Sequence, residues 1–176
     1  VVVLWGVGCE GCATWWAGVM GVVAVGAAYH RTGPVPSGEG GAGARRQALE
    51  EGGFTPDDLG HLNAQGTGTP ANDSTESKAL LALCGEEAGS RIPVTSVKGT
   101  TGHTLGAAGA IEAIVTALSV MNDCVPPTAG FAEADPECPV SVVTEAKTGY
   151  PQKVALSNSL GFGGHNASLA LSPYRA

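Results

Sequence analysis

Residues 92–121 constrain the fold more than any other part of this sequence. Residues 92–95 form a short apolar run that predicts a buried strand, and residues 107–121 form an apolar run of helix length without an internal proline. A strand followed by a helix is the building unit of α/β proteins. The glycine-punctuated loop between them carries Lys98 and His103. Loops held by a rigid strand and helix are where catalytic side chains are usually placed.

Lys98 lies five residues before His103, and Glu112 lies nine residues after it in the predicted helix. A lysine charge near an imidazole favours the neutral ring, which can donate one N–H. Glu112 is the expected partner of Lys98. A surface lysine and a helix-capping histidine would produce the same spacing, so these residues alone leave both interpretations open.

Two further glycine-rich loops follow predicted strands. Residues 63–73 read Asn-Ala-Gln-Gly-Thr-Gly-Thr-Pro-Ala-Asn-Asp, and residues 158–167 read Asn-Ser-Leu-Gly-Phe-Gly-Gly-His-Asn-Ala. Glycine lets backbone N–H groups approach a ligand closely, although turn formation alone also explains glycines at such positions.

These two loops and the run Ser-x-Lys-x-x-x-Gly-His-x-x-Gly-Ala-Ala-Gly at residues 96–109 share their order and spacing with a known family. They resemble the motifs of the β-ketoacyl-acyl-carrier-protein synthases, the condensing enzymes of fatty-acid and polyketide assembly. The resemblance covers roughly residues 22–171 and corresponds to the C-terminal half of such an enzyme. It implies an α/β fold, one half of a thiolase-like fold with a mixed sheet and packed helices. We therefore interpret residues 1–176 as one domain.

The resemblance also implies catalytic roles. His103 corresponds to one of two histidines that stabilise the enolate oxygen during decarboxylation of a malonyl extender. Lys98 corresponds to the lysine that orients and polarises this histidine, with Glu112 behind it. Gln65 stands where the family has its other histidine. An amide can donate a hydrogen bond to an oxyanion but cannot take a proton, which puts full decarboxylative condensation in doubt.

Other residues are implied to contact the substrate. The backbone N–H of Phe162 corresponds to a donor of the acyl oxyanion hole, and its ring corresponds to a gate. Thr67 and Thr69 correspond to hydroxyls that contact the phosphopantetheine arm of the carrier. The remaining members of this set are Asn158, Gly161 and Gly163. His61 and His165 match no catalytic position, and we expect them on loops or at the surface.

The composition of the chain argues against nucleic-acid binding and membrane spanning. A net charge of −7 and nine basic residues without a cluster argue against a nucleic-acid surface. No apolar run reaches the length of a membrane span. Five cysteines, an odd number, are typical of a reducing cytoplasm. The pair Cys9 and Cys12 lacks nearby ligands for a metal, and no cofactor is expected beyond a phosphopantetheine-linked substrate.

Residues 1–21 are an atypical apolar segment, with strands expected at residues 1–4 and 22–28. Because large exposed apolar patches are unusual in monomers, Trp5, Trp15 and Trp16 indicate a contact surface. Cys12-Ala-Thr resembles the nucleophile elbow of the synthases, but the surrounding residues do not match, which favours an ordinary cysteine. The sequence starts at a valine without the basic region of a secretory signal, so we expect a trimmed N-terminus.

Two hypotheses of different classes remain. One is an acyltransferase of the condensing-enzyme type, whose cysteine-bearing half has no counterpart here. It includes a repurposed isomerase or cyclase that uses His103 and Lys98. The other is a non-catalytic subunit that pairs with another ketosynthase or with a carrier protein. Both imply an acyl carrier protein as partner and a homodimer or hetero-oligomer with a ketosynthase subunit.

Overall fold

The computed structural model describes residues 2–6, 14–27 and 29–174. Its first elements are β1 (Val2–Gly6), β2 (Thr14–Gly26), α1 (Glu39–Glu51), β3 (Leu59–Asn63), α2 (Pro70–Cys84), α3 (Glu86–Gly89) and β4 (Pro93–Thr95). The chain continues with α4 (Lys98–Thr101), α5 (Ala108–Met121), β5 (Cys124–Val125), β6 (Ser141–Val142), β7 (Lys147–Thr148), β8 (Val154–Gly161) and β9 (His165–Pro173). The predicted α/β class is confirmed. Of the helices in these ranges, none is long and apolar enough to cross a bilayer.

Seven of the described strands form one sheet in the order β1-β2-β9-β8-β3-β4-β6. β3 pairs in parallel with β8 and with β4, and β4 pairs in parallel with β6. The pairs β1–β2, β2–β9 and β8–β9 are antiparallel, so the sheet is mixed as predicted. Because β3, β4 and β8 run in the same direction, the loops that follow them leave the same edge of the sheet. This edge is where ligands bind in open α/β sheets.

Helices cover the sheet on both faces. Leu156 of β8 packs with Leu49 of α1 and Leu80 of α2, whereas its neighbour Ala155 packs with Val120 of α5. Successive residues of a strand point to opposite faces, so these contacts place α1 and α2 on one side and α5 on the other. The long apolar segment predicted as a helix is therefore α5.

Strand β2 begins before the position that the sequence predicted. It starts at Thr14, crosses residue 21 and pairs with β9 along most of its length. The prediction that the strand begins at residue 22 was wrong because glycines obscured the apolar pattern. Gly21 is required there, since a Cβ atom would lie 1.9 Å from the carbonyl oxygen of Ala48 in α1. This contact lets α1 lie close against the sheet.

Two predictions for the N-terminal segment concern parts outside the described structure. The side chains of Trp5, Trp15 and Trp16 are outside it, as are Cys9 and Cys12 entirely. The contact surface and the role of these cysteines therefore stay predictions.

His61 is not a surface residue, and the prediction that placed it on a loop or at the surface was wrong. The ring is fully buried in β3, with Nε2 at 2.8 Å from Thr95 Oγ1 and Nδ1 at 3.3 Å from Ser119 Oγ. Its hydroxyl partners lie 34 and 58 residues away, so the sequence around His61 gave no sign of them. Burial lowers the pKa of His61 to about 3. His165 is exposed, as predicted.

Candidate functional site

The loops after β3 and β4 are joined side by side. The Ala64 N–H donates to the Thr95 carbonyl over 2.8 Å, and the Ser96 hydroxyl donates to the Gly66 carbonyl over 2.9 Å. Gly66 has a φ of 45°, and a Cβ atom on it would lie 2.4 Å from the side chain of Ser96. Only glycine permits this approach. The predicted loops of Gln65 and Lys98 therefore meet at one edge of the sheet.

Lys98 and Glu112 form a buried ion pair. The side chains are 6% and 1% exposed, and the Lys98 ammonium donates to Glu112 Oε1. It also donates to Gln65 Oε1 over 3.3 Å. Burial raises the pKa of the Glu112 carboxyl, and the Lys98 charge opposes this rise. The structure thus brings together three of the predicted catalytic residues.

The contact with Lys98 fixes the orientation of the Gln65 amide. Its oxygen faces the ammonium, so the NH₂ group occupies the other branch of a largely buried side chain. Within the described residues this NH₂ group donates to no protein acceptor. It is therefore the part of Gln65 that can donate to a ligand.

His103 lies beyond a short helix that the sequence did not predict. Helix α4 ends at Thr101, Gly102 follows it with a φ of 68°, and the next residue, His103, is exposed. Its Nδ1 accepts from the Leu105 N–H over 3.2 Å. In the neutral ring the proton is then on Nε2, which is the donor of the ring. No hydrogen bond joins Lys98 to His103 in the described structure, and the role of Lys98 in orienting the His103 ring stays a prediction.

Leu105 holds the backbone next to His103 in a rare conformation. Its φ is 51°, a left-handed value that costs a side-chain-bearing residue on the order of 1–2 kcal/mol. The side chain is 78% exposed and gains little by burial in this structure. The same residue supplies the N–H that orients the His103 ring. Strain of this kind is concentrated at functional sites.

The third predicted loop connects β8 and β9. Gly163 and Gly164 make the turn with φ values of 80° and 79°, and the ring of Phe162 is 75% exposed. The loop is held by the Gly163 N–H, which donates to the Arg31 carbonyl over 2.7 Å. Gly161 ends β8 and is exposed. Asn158 differs from these residues because it is only 2% exposed and its amide contacts protein groups.

Thr67 and Thr69 lie on the loop after Gln65, with their hydroxyls 3.1 Å apart. Thr69 also caps α2, because its hydroxyl accepts from the Asn72 N–H over 3.4 Å. Thr67 lines a cleft of about 510 Å³ that also borders Lys98. The cleft contains neither Gln65 nor His103 in its lining.

Cys138 lines the same cleft, but its surroundings disfavour a nucleophilic role for its thiol. Burial and the neighbouring Asp135 carboxylate raise the pKa of its thiol. The thiolate is the reactive form of cysteine, so this environment suppresses reactivity. The described residues contain no cluster of three or more potential metal ligands.

Sequence reasoning missed Glu76, whose carboxylate holds the Gln65 loop by hydrogen bonds to its backbone. Its Oε1 accepts from the Gln65 N–H over 3.0 Å, and its Oε2 accepts from the Gly66 N–H over 2.8 Å. The Asn72 amide donates to the same carboxylate over 3.0 Å. An acidic residue on the helix that follows a glycine-rich loop was the available signal, but it looks like an ordinary surface charge.

Comparison with known proteins identifies the family. Residues 16–132 match the β-ketoacyl synthase C-terminal domain. The chain is 44% identical over 161 residues to 3-oxoacyl-(acyl-carrier-protein) synthase 2 of Staphylococcus aureus (strain COL), covering 92% of this chain and 39% of that protein. It is 45% identical over 148 residues to the Synechocystis synthase 2, covering 84% and 35%. The chain therefore spans well under half the length of these curated relatives.

Solved structures agree with this result. The ishigamide ketosynthase/chain length factor superposes with a TM-score of 0.86 at 35% identity, over 93% of this chain and 39% of that chain. A type II polyketide acyl-carrier protein in complex with its ketosynthase gives a TM-score of 0.87 at 33% identity, over 93% and 40%. The predicted resemblance and the thiolase-like fold are confirmed. The chain belongs to the β-ketoacyl synthase family and corresponds to its C-terminal domain.

Proposed function

We propose that this domain contributes the residues that promote decarboxylation in a ketosynthase active site. Such a ketosynthase is an acyltransferase that acts on acyl or polyketide chains bound to a carrier protein. One observation carries the proposal: the Gln65 amide is oriented by the buried Lys98–Glu112 pair. The second donor is Nε2 of His103, which lies just after α4. Gln65 replaces one of the two histidines that the family resemblance implies, and His103 is the other.

In the proposed reaction the carbon–carbon bond of a malonyl thioester breaks and carbon dioxide leaves. The bonding electrons move to the thioester carbonyl, whose oxygen becomes an enolate. The Gln65 NH₂ and the His103 Nε2–H donate hydrogen bonds to this oxygen, and neither donor loses its proton. The enolate carbon then attacks an acyl thioester, and the thiolate leaves. The thiol that carries the acyl chain belongs to the other half of the thiolase-like fold.

The remaining predicted residues have roles in substrate handling. Thr67 and Thr69 would contact the phosphopantetheine arm, and the exposed Phe162 would act as the gate with its backbone N–H in the acyl oxyanion hole. The buried position of Asn158 in β8 favours a supporting role for the strand that leads to Gly161 and Gly163. No cofactor is required beyond the phosphopantetheine of the substrate, and we place the reaction in the cytoplasm.

The proposed partners are an acyl carrier protein and a ketosynthase subunit or a second copy of this chain. A solved neighbour is a carrier protein in complex with its ketosynthase. The outer face of α5 also exposes 56% of Ile114 and 40% of Leu118. Contiguous exposed apolar surface marks interaction sites, and these two side chains lie one helical turn apart. A heteromer or homodimer at micromolar concentration, measured by sedimentation, is the expected result.

The test is the release of carbon dioxide from malonyl-pantetheine by the full chain. His103→Ala should lower the rate roughly 100- to 1,000-fold, the usual effect of removing one oxyanion donor. His165→Ala is the matched control, because it removes another exposed histidine that matches no catalytic position. Equal rates for His103→Ala and the parent chain would refute the proposal.

Gln65 favours a second candidate, a non-catalytic partner subunit of a ketosynthase. An amide cannot exchange a proton as histidine does. One solved neighbour is a ketosynthase in complex with its chain length factor, with a TM-score of 0.78 at 35% identity. This candidate predicts a parent chain without decarboxylation activity in which Gln65→His creates it. Turnover of a polyketide that needs His103 and Lys98 without carbon dioxide release would instead indicate an isomerase or cyclase.

A further inference from the structure

Arg45 is a charged residue in the interior of the domain. It lies in the middle of α1, and only 1% of its side chain is exposed. A buried charge is costly unless it is paired and hydrogen-bonded, so its partners indicate what it does. Its Nη1 donates to the Glu76 carbonyl over 3.0 Å, and its Nη2 donates to Glu76 Oε1 over 3.3 Å. The guanidinium thus holds both the backbone and the side chain of Glu76.

Glu76 transmits this contact to the Gln65 loop. Its two carboxylate oxygens accept the backbone N–H groups of Gln65 and Gly66. Hydrogen bonds to an ionised acceptor are roughly twice as strong as neutral ones. The Arg45 guanidinium contacts this same carboxylate and the Glu76 carbonyl, so it fixes the position of the group that holds the loop.

The opposite side of the guanidinium contacts strand β8. With its amide oxygen toward Arg45, Asn158 accepts from Nε over 2.7 Å and from Nη2 over 3.0 Å, and its amide nitrogen donates to Ser168 Oγ over 2.8 Å. Asn158 lies four residues before Phe162 on the strand that carries the Phe162 loop. One buried side chain thus joins the two elements that lead to Gln65 and to Phe162.

We propose that Arg45 is a positioning residue that fixes the Gln65 loop relative to β8. The backbone nitrogen of Gln65 is held on one side by Glu76, and its side-chain oxygen is held on the other by Lys98. Loosening the backbone contact moves the amide away from the orientation set by Lys98. The importance of this Gln65 orientation for catalysis rests on the proposed function, whereas the connection through Arg45 does not.

Amide hydrogen exchange of the full chain tests the connection. Arg45→Met keeps an unbranched apolar stem but removes the guanidinium. Exchange at Gln65 and Gly66 should accelerate at least tenfold beyond the change at core amides such as Leu156. Arg46→Met is the matched control, because the neighbouring Arg46 is exposed and its one hydrogen bond in the described structure is to the Ala82 carbonyl, over 3.4 Å. It should leave both loop amides unchanged.

A uniform change across the domain, or none at Gln65 and Gly66, would overturn the proposal. If Arg45→Met does not fold, Arg45→Lys decides, because it keeps the charge but loses the planar guanidinium fork that bonds to Glu76 and Asn158 at once. Selective acceleration at the two loop amides in Arg45→Lys supports the proposal, and parent-like exchange overturns it. Carbon dioxide release is measured on the same samples. If exchange accelerates selectively in the Arg45 variant while the parent chain releases no carbon dioxide, the proposed function is refuted and the positioning role of Arg45 stands.

Discussion

His61 should make the stability of this domain depend on pH between about pH 6.5 and pH 3. Burial lowers its pKa to about 3, against about 6.5 in an unfolded chain. Above pH 6.5 the ring is neutral in both states, so it adds no pH dependence. Between pH 6.5 and pH 3 the unfolded chain binds one proton more than the folded chain. The unfolding free energy therefore falls as the pH falls.

The size of this effect follows from the two pKa values. The loss is about 2 kcal/mol at pH 5 and about 3 kcal/mol at pH 4. His61→Gln is the matched variant, because an amide can still bond to Thr95 and Ser119 but does not titrate here. Urea denaturation of both proteins at pH 7, 6 and 5 should show a steeper decline for the parent. All other titrating groups are shared and cancel. Parallel declines would refute the account of His61.

Further predictions concern elements around the site, each measured by urea denaturation. Gly164→Ala should destabilise by several kcal/mol because its Cβ would lie 1.8 Å from the Ala27 carbonyl. Gly130→Ala is its control, since φ is 77° there with open space around it, and it should cost only about 1 kcal/mol. Thr69→Ala should lose about 1 kcal/mol by removing the cap of α2, whereas Thr69→Ser should not. Lys98→Met should cost about 3–5 kcal/mol because it leaves a buried carboxylate unpaired.

The local pattern predicted elements that depend on nearby residues. The run at residues 92–95 and the apolar segment up to Met121 gave β4 and α5, and glycine-rich loops were placed at the ends of strands. The partnership of Lys98 with Glu112 was also expected from spacing, and the structure shows it. These features follow from periodicity and from a sequence separation of only 14 residues between Lys98 and Glu112.

Features that depend on distant residues could not be predicted in the same way. Arg45 and Glu76 are 31 residues apart, and each looks like a surface charge of an amphipathic helix in the sequence. His61 needed hydroxyl groups from two other elements to be buried. The start of β2 was hidden because glycines that permit close contact with α1 interrupt its apolar pattern. Burial of such residues is decided by tertiary packing, which local patterns do not contain.

The most direct test of the central claim is the rate of carbon dioxide release from malonyl-pantetheine by Gln65→Glu compared with the parent chain. This change keeps an oxygen facing Lys98 but replaces the NH₂ donor by an acceptor of similar shape. Loss of one donor to the enolate oxygen should lower the rate roughly 100-fold or more. Gln65→His should keep or raise the rate, because histidine restores a donor. A Gln65→Glu rate equal to that of the parent would contradict the claim that the Gln65 amide stabilises the enolate.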